Sequence, residues 1–272
     1  VVATISPPAY WSSVAVAAIG CAALCFAARK RPGSWTVATA KVVGVLLLAD
    51  AVSYSVMLVV QDQWSWKTSL PLALCNVGVL VATAACWWRV PLLVEITYFW
   101  GLAGTLQAII TPDLNVAFPH LVFFQYVVGH TGIVLAALFL VVGMRITPRP
   151  GAVRRVFLIT VTYTAFVGLV DGLTGANYMF LSQPPSEWTL LRLLGRWPWY
   201  VVSAAGVALA LFLLLNAPFW WARRQRPVAS EISQRPLPDA LEEQNTCCPE
   251  RSEHPRVAAA PKLRSARESA HP

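Results

Sequence analysis

Seven long apolar runs, parted by short loops, constrain this chain more than anything else in it. A hydrocarbon core about 30 Å thick is crossed by a helix of roughly 20 apolar residues. Runs of that kind stand at 10–28, 37–60, 69–88, 91–110, 120–143, 154–173 and 197–221. Lipid offers no water to a peptide group, so such runs must be helices that bond internally. The expected fold is all-α, a polytopic seven-helix transmembrane bundle over residues 1–221. Residues 222–272 differ in kind. Pro, Ser, Ala and mixed charge dominate there and no apolar periodicity survives, so this segment reads as a disordered tail.

Charge agrees with that division. Hydrophobic residues make up 57% of the chain and charged residues 12%, about half the charge of a soluble domain. From Arg223 onward there are nine Lys/Arg and seven Asp/Glu; the rest of the chain holds twelve and six. Arg29, Lys30, Arg31, Arg89, Arg145, Arg149, Arg154, Arg155, Arg223, Arg224 and Arg226 fall on one side of the spans. Lys67, Arg192 and Arg196 fall on the other. Basic loops stay in the cytoplasm, which puts the N-terminus outside, the C-terminus in the cytoplasm, and the protein in the cell membrane as a multi-pass chain. The first run lacks a preceding basic segment, so no separate signal peptide is expected. No basic stripe is interleaved with aromatics, which argues against a nucleic-acid partner. The last span has no Lys, which removes a retinal Schiff base.

The six cysteines do not form a disulfide framework. Cys21 and Cys25 lie in the first span, Cys75 and Cys86 in the third. Cys247 and Cys248 lie in the tail, where no second ligand cluster completes a metal site. Neither a metal nor a cofactor is expected. Gly168 and Gly172 form a small-xxx-small pair that would admit a close neighbour to the sixth span.

Polar groups inside lipid are costly and tend to face the protein interior. Here they are Asp50, Glu95, His130 and Asp171, with Cys75, Asn76, Gln107, Gln125 and Tyr126 uncharged beside them. Cys75 lies roughly 9 Å and His130 roughly 15 Å below the outer ends of their spans, at the rise of a helix. Asp50 reaches similar depth, Asp171 and Asn177 border the outer surface, and Glu95 sits in the inner half. Most of this set is expected to line one cavity open to the outer leaflet. Cys75 and His130 form the sharpest pair. A thiol attacks carbonyls as thiolate and an imidazole can take its proton, with Asp50 or Asp171 to orient the ring. The other reading is a packed thiol and a histidine bonded across helices. Asp50 and Glu95 fit proton relay, although hydrogen bonding from the neutral form is the commoner case for isolated acids in lipid.

Several local strings resemble one known family. Leu70-Pro71-Leu72-Ala73-Leu74-Cys75-Asn76 is similar to the "LPLxLC" element of the YwaF-like integral membrane family. Glu95-Ile96-Thr97-Tyr98-Phe99-Trp100-Gly101-Leu102, continuing through Gly104, Gln107 and Thr111-Pro112-Asp113, resembles its second block. Phe118-Pro119-His120 and Gln125 to His130 resemble the third. Gly175-Ala176-Asn177-Tyr178-Met179 and Arg196-Trp197-Pro198-Trp199-Tyr200 resemble the fourth and fifth. The blocks keep the family's order. This is a seven-helix family with a eukaryotic branch of phospholipid acyltransferases that use a Cys and a His. The resemblance implies Cys75 as acyl-thioester nucleophile and His130 as general base. Asp50, Asn76, Glu95, Tyr98, Gln107, Gln125, Tyr126, Asp171 and Asn177 are then pocket or supporting residues, and membrane lipids are the partners. The alternative is a non-enzymatic ligand binder or a small-solute, proton-coupled carrier.

Overall fold

A computed structural model describes residues 7–112, 114, 116, 118–183 and 194–225. Every long element in it is a helix: α1 Pro7–Lys30, α2 Ser34–Val60, α3 Leu74–Trp88, α4 Pro91–Ile110, α5 Leu121–Gly143, α6 Ala152–Thr174 and α7 Trp199–Arg224. Among the described residues six of them are long and apolar enough to cross a membrane. The exception is α3, with 15 residues. Residues 226–272, with Cys247 and Cys248, lie outside the described part.

Local chemistry sets the ends. Pro91 opens α4, where its missing N–H removes no helical bond. Arg89 closes α3 in the left-handed region, and its N–H donates to Ala85 O. Gly175, at φ 67°, closes α6 with its N–H on Asp171 O. Glycine adopts that conformation without penalty.

Packing runs through α4 and α5. Seven consecutive residues of α4, Val94 to Trp100, are buried, so this helix is central. It touches α3, α5, α6 and α7, while α5 also packs on α1, α2 and α3. Small residues let backbones approach. A Cβ at Gly44 would lie 3.1 Å from Cys86 Cβ and 3.2 Å from Thr83 O, and the Thr83 hydroxyl donates to Gly44 O. The outside is apolar. Val45, Leu46, Val52 and Val56 of α2, Leu169 and Leu173 of α6, and Leu213 and Leu214 of α7 are exposed. Water would penalise so much apolar surface, whereas lipid is its natural solvent.

Two expectations are corrected, and one feature is new. The third span does not begin its helix near 69. Residues 66–73 are turns, and Pro71 lies three residues before α3. The Leu72 N–H bonds back to Leu70 O and Tyr side chains take up neighbouring groups, so this stretch is satisfied without being helical. The Gly168/Gly172 pair does not seat a helix. A Cβ at Gly168 would meet only the Leu181 side chain, at 3.7 Å, and one at Gly172 would meet open space. Finally, α4 and α5 each contain a π-turn, at Gly101–Thr105 and Phe139–Gly143. Each adds a residue to one turn and shifts the faces beyond it.

Candidate functional site

The start of α3 is the place to begin. Ala73 is its N-cap, extended and with no side-chain capping bond. The amides of Leu74, Cys75 and Asn76 therefore have no partner among the described residues; the first bonded one is Val77 N–H, on Ala73 O. A bare helix N-terminus presents N–H donors and a partial positive charge. Cys75 is the second residue of that helix. The Thr105 side chain, nearly fully buried, lies near the Cys75 sulfur. Thr105 is the last residue of the α4 π-turn.

Three helices bring further groups to this level. Both α3 and α5 run against α4. A Cβ at Gly104 would lie 3.4 Å from Leu74 Cδ2, close to where α3 starts. Gly101 packs on Ile133 and Ala137, and Tyr126 Oη donates to Ala108 O at 2.8 Å. The parallel pair α3 and α5 meets where a Cβ at Gly78 would lie 3.7 Å from Ile133 Cδ1. One turn earlier on each helix stand Cys75 and His130, sharing those faces. That register sets both residues one turn before the same contact, with no hydrogen bond between them among the described residues.

His130 is half-buried. Its Nδ1 lies 2.8 Å from Tyr126 O, and its ring stacks on Tyr126 at 4.1 Å between centroids. A carbonyl only accepts, so Nδ1 carries the proton. In the neutral ring Nε2 then holds the lone pair. The tautomer of a base is set by the chain itself, one turn back along α5. No carboxylate orients this imidazole through Nδ1.

The remaining polar residues divide among other places. Asp50 lies against α5, its Oδ2 3.1 Å from where a Cβ on Gly129 would be, with Gln125 Nε2 3.9 Å from the same point. That buried oxygen has no hydrogen-bond partner among the described residues. Asn76 is exposed. Gln107 stands two residues past Thr105, off its face. Asp171 Oδ1 accepts Tyr178 N–H at 2.9 Å. Tyr178 Oη in turn donates to Trp66 O at 2.8 Å and accepts Leu70 N–H at 3.1 Å. Tyr163 Oη donates to Leu72 O at 2.8 Å. Asp171 therefore acts through Tyr178 on the turns that lead into Cys75. Asn177 binds the loop after it, accepting Ser182 and Gln183 N–H. Tyr98 donates to Leu215 O of α7.

Glu95 belongs to a different centre. It is 1% exposed and accepts Arg149 N–H and Nε at 2.9 Å and Arg155 Nη2 at 2.9 Å. Two guanidiniums fix one carboxylate at the arginine-rich end and tie α4 to α6 and the loop before it. An apolar cavity of about 380 Å³ lies between α1, α4 and α5, lined by Cys21, Cys25, Leu102, Leu106, Thr131 and Val134 among others. Neither Cys75 nor His130 lines it, although Thr131 follows His130 directly. The polar set thus forms separate clusters rather than one cavity wall. Sequence reasoning passed over Thr105 and the bare amides. The two glycines at 101 and 104 were a signal for an irregular turn in the fourth span, and Pro71 was one for a late helix start. Among the described residues no group of His, Cys, Asp and Glu has the arrangement of a metal site.

An all-α bundle with apolar outer faces and a few buried polar clusters defines a multi-pass integral membrane protein. The chain belongs to the TMEM164 family, which matches residues 4–216. It is also similar to an uncharacterized protein of Treponema pallidum (strain Nichols), 25% identical over 158 residues. That match covers 58% of this chain, and the chain spans 65% of the relative's length. No solved structure matches.

Proposed function

We propose that this chain is a lipid acyltransferase that carries an acyl group as a thioester on Cys75, with His130 as general base. The observation that carries the reading is the junction of an uncapped helix start bearing Cys75 with a His130, one turn before the same α3–α5 contact, whose Nε2 keeps its lone pair. The five ordered sequence blocks that resemble the acyltransferase-containing YwaF-like family support it. In this reading residues 1–221 form the membrane domain and 222–272 a cytoplasmic tail, with the N-terminus outside, as the bias of basic loops implies.

The chemistry balances without a cofactor. His130 Nε2 takes the Cys75 thiol proton, and the sulfur attacks the carbonyl of a lipid ester. The developing oxyanion is held by the free amides at the start of α3. The ester C–O bond breaks, the leaving lipid alkoxide takes the proton from Nε2, and a thioester remains. The hydroxyl of a second lipid or lysolipid then gives its proton to Nε2 and attacks the thioester. The C–S bond breaks and the sulfur recovers the proton. The acyl chain would extend into the apolar cavity beside α5.

Intact mass after mixing with phospholipid tests this. The wild-type protein should gain a hydroxylamine-labile acyl adduct. Cys75→Ala should gain none, and His130→Ala should form it at least roughly a hundredfold more slowly. One observation favours a second reading: the buried, unpartnered Oδ2 of Asp50 suits a proton-coupled carrier. Such a carrier would keep its activity in Cys75→Ala and lose it in Asp50→Asn. That pattern, with no adduct on the wild type, would overturn the enzyme.

A further inference from the structure

At the arginine-rich end, α1 and α5 finish side by side. A Cβ at Gly143 would lie 3.4 Å from Ala28 Cβ and 3.6 Å from Cys25 Cα, so the two chain ends are nearly in backbone contact. This approach carries Arg29 and Arg145 to the rim of a pocket of about 140 Å³, floored by Ala28, Gly143 and the buried Thr36 of α2. Both guanidiniums are exposed, and neither is in a hydrogen bond or ion pair among the described residues.

Among the described residues nothing acidic answers them. The carboxylates of the described residues are those of Asp50, Asp62, Glu95 and Asp171. Asp50 lies beside Gly129, Asp62 follows the far end of α2, and Asp171 bonds Tyr178. Glu95, the one at this end, is occupied by Arg149 and Arg155. Arg145 is also held at φ 60°, a conformation that asparagine or glycine adopts more readily. The pocket therefore combines two unpaired guanidiniums, a concave floor and a position at the ends of membrane helices.

We propose that this pocket binds phosphate, specifically the phosphate of an anionic phospholipid headgroup in the adjoining leaflet. Guanidinium forks match phosphate oxygens in pairs. The lipid tails would follow the exposed apolar faces of α1 and α2. This site is separate from Cys75 and does not depend on its chemistry.

The test uses the full chain in neutral detergent and counts bound lipid by native mass spectrometry. The probes are phosphatidylglycerol, diacylglycerol with the same chains, and inorganic phosphate. Phosphatidylglycerol should bind and diacylglycerol should not. Arg29→Gln with Arg145→Gly should weaken that binding by roughly tenfold or more, since it removes two charge-assisted contacts. Glycine at 145 suits the backbone there, so the loss would not come from misfolding. Arg154→Gln with Arg224→Gln removes equal charge outside the pocket and should change binding by under about twofold, as diffuse surface charge does. Equal loss in both double variants would mean a diffuse basic rim and would overturn the site. Retention of inorganic phosphate without phosphatidylglycerol would overturn the lipid assignment.

Discussion

At the scale of single residues, the chemistry proposed for this protein turns on which hydrogen bonds are already made. His130 spends Nδ1 on the carbonyl one turn back, and that choice fixes where its lone pair lies. Thr105 stands beside Cys75. Thr105→Val keeps the shape and deletes the donor, and should slow thioester formation by about tenfold, the worth of one hydrogen bond to a charged group. Thr105→Ser should restore most of the rate. Adduct formation followed by mass over time reads both. Cys75 and His130 were singled out in the sequence by their depth and by the family resemblance. Thr105 was not, since a threonine in a membrane helix ordinarily bonds its own backbone, as Thr97 and Thr131 do here.

At the scale of elements, the informative ones are those that break the regular pattern. Apolar run lengths located all seven helices, because the hydropathy of a span depends on composition alone. The same measure extended the third span over 69–73, where the backbone turns. Hydropathy cannot register a helix start inside an apolar run. The turn before α3 keeps its form because Tyr178 grips both Trp66 O and Leu70 N–H. Tyr178→Phe leaves both without that partner and should cost about 2 kcal/mol. Hydrogen exchange should rise across residues 66–73 in that variant and stay unchanged in α2. If exchange rises equally throughout the bundle, Tyr178 is a global rather than a local clamp. The π-turn of α4 was similarly invisible, since it alters hydrogen-bond register and leaves composition untouched.

At the scale of the whole molecule, two polar centres stand at different depths on one central helix. Glu95 near one end of α4 is a structural rivet, and Thr105 near the other belongs to the proposed reactive centre. Both side chains are nearly fully buried, and sequence alone grouped Glu95 with the pocket because depth in a span does not reveal neighbours across helices. Glu95→Gln removes the charge that holds Arg149 and Arg155, and should destabilise the bundle by about 3 kcal/mol. A melting midpoint lower by roughly 6–12 °C is the matching readout. Adduct formation on Cys75 should persist below that temperature. Loss of the adduct at unchanged stability would instead make Glu95 part of the reaction. The brevity of α3 has a consequence for the surrounding bilayer. Its 15 residues rise only about 22 Å, some 8 Å short of the hydrocarbon thickness. The missing length is filled by the tyrosine-held turns, and a bilayer that dips there would match the shorter helix. Such a dimple would give water and a headgroup a short descent to the sulfur while acyl chains arrive from the side.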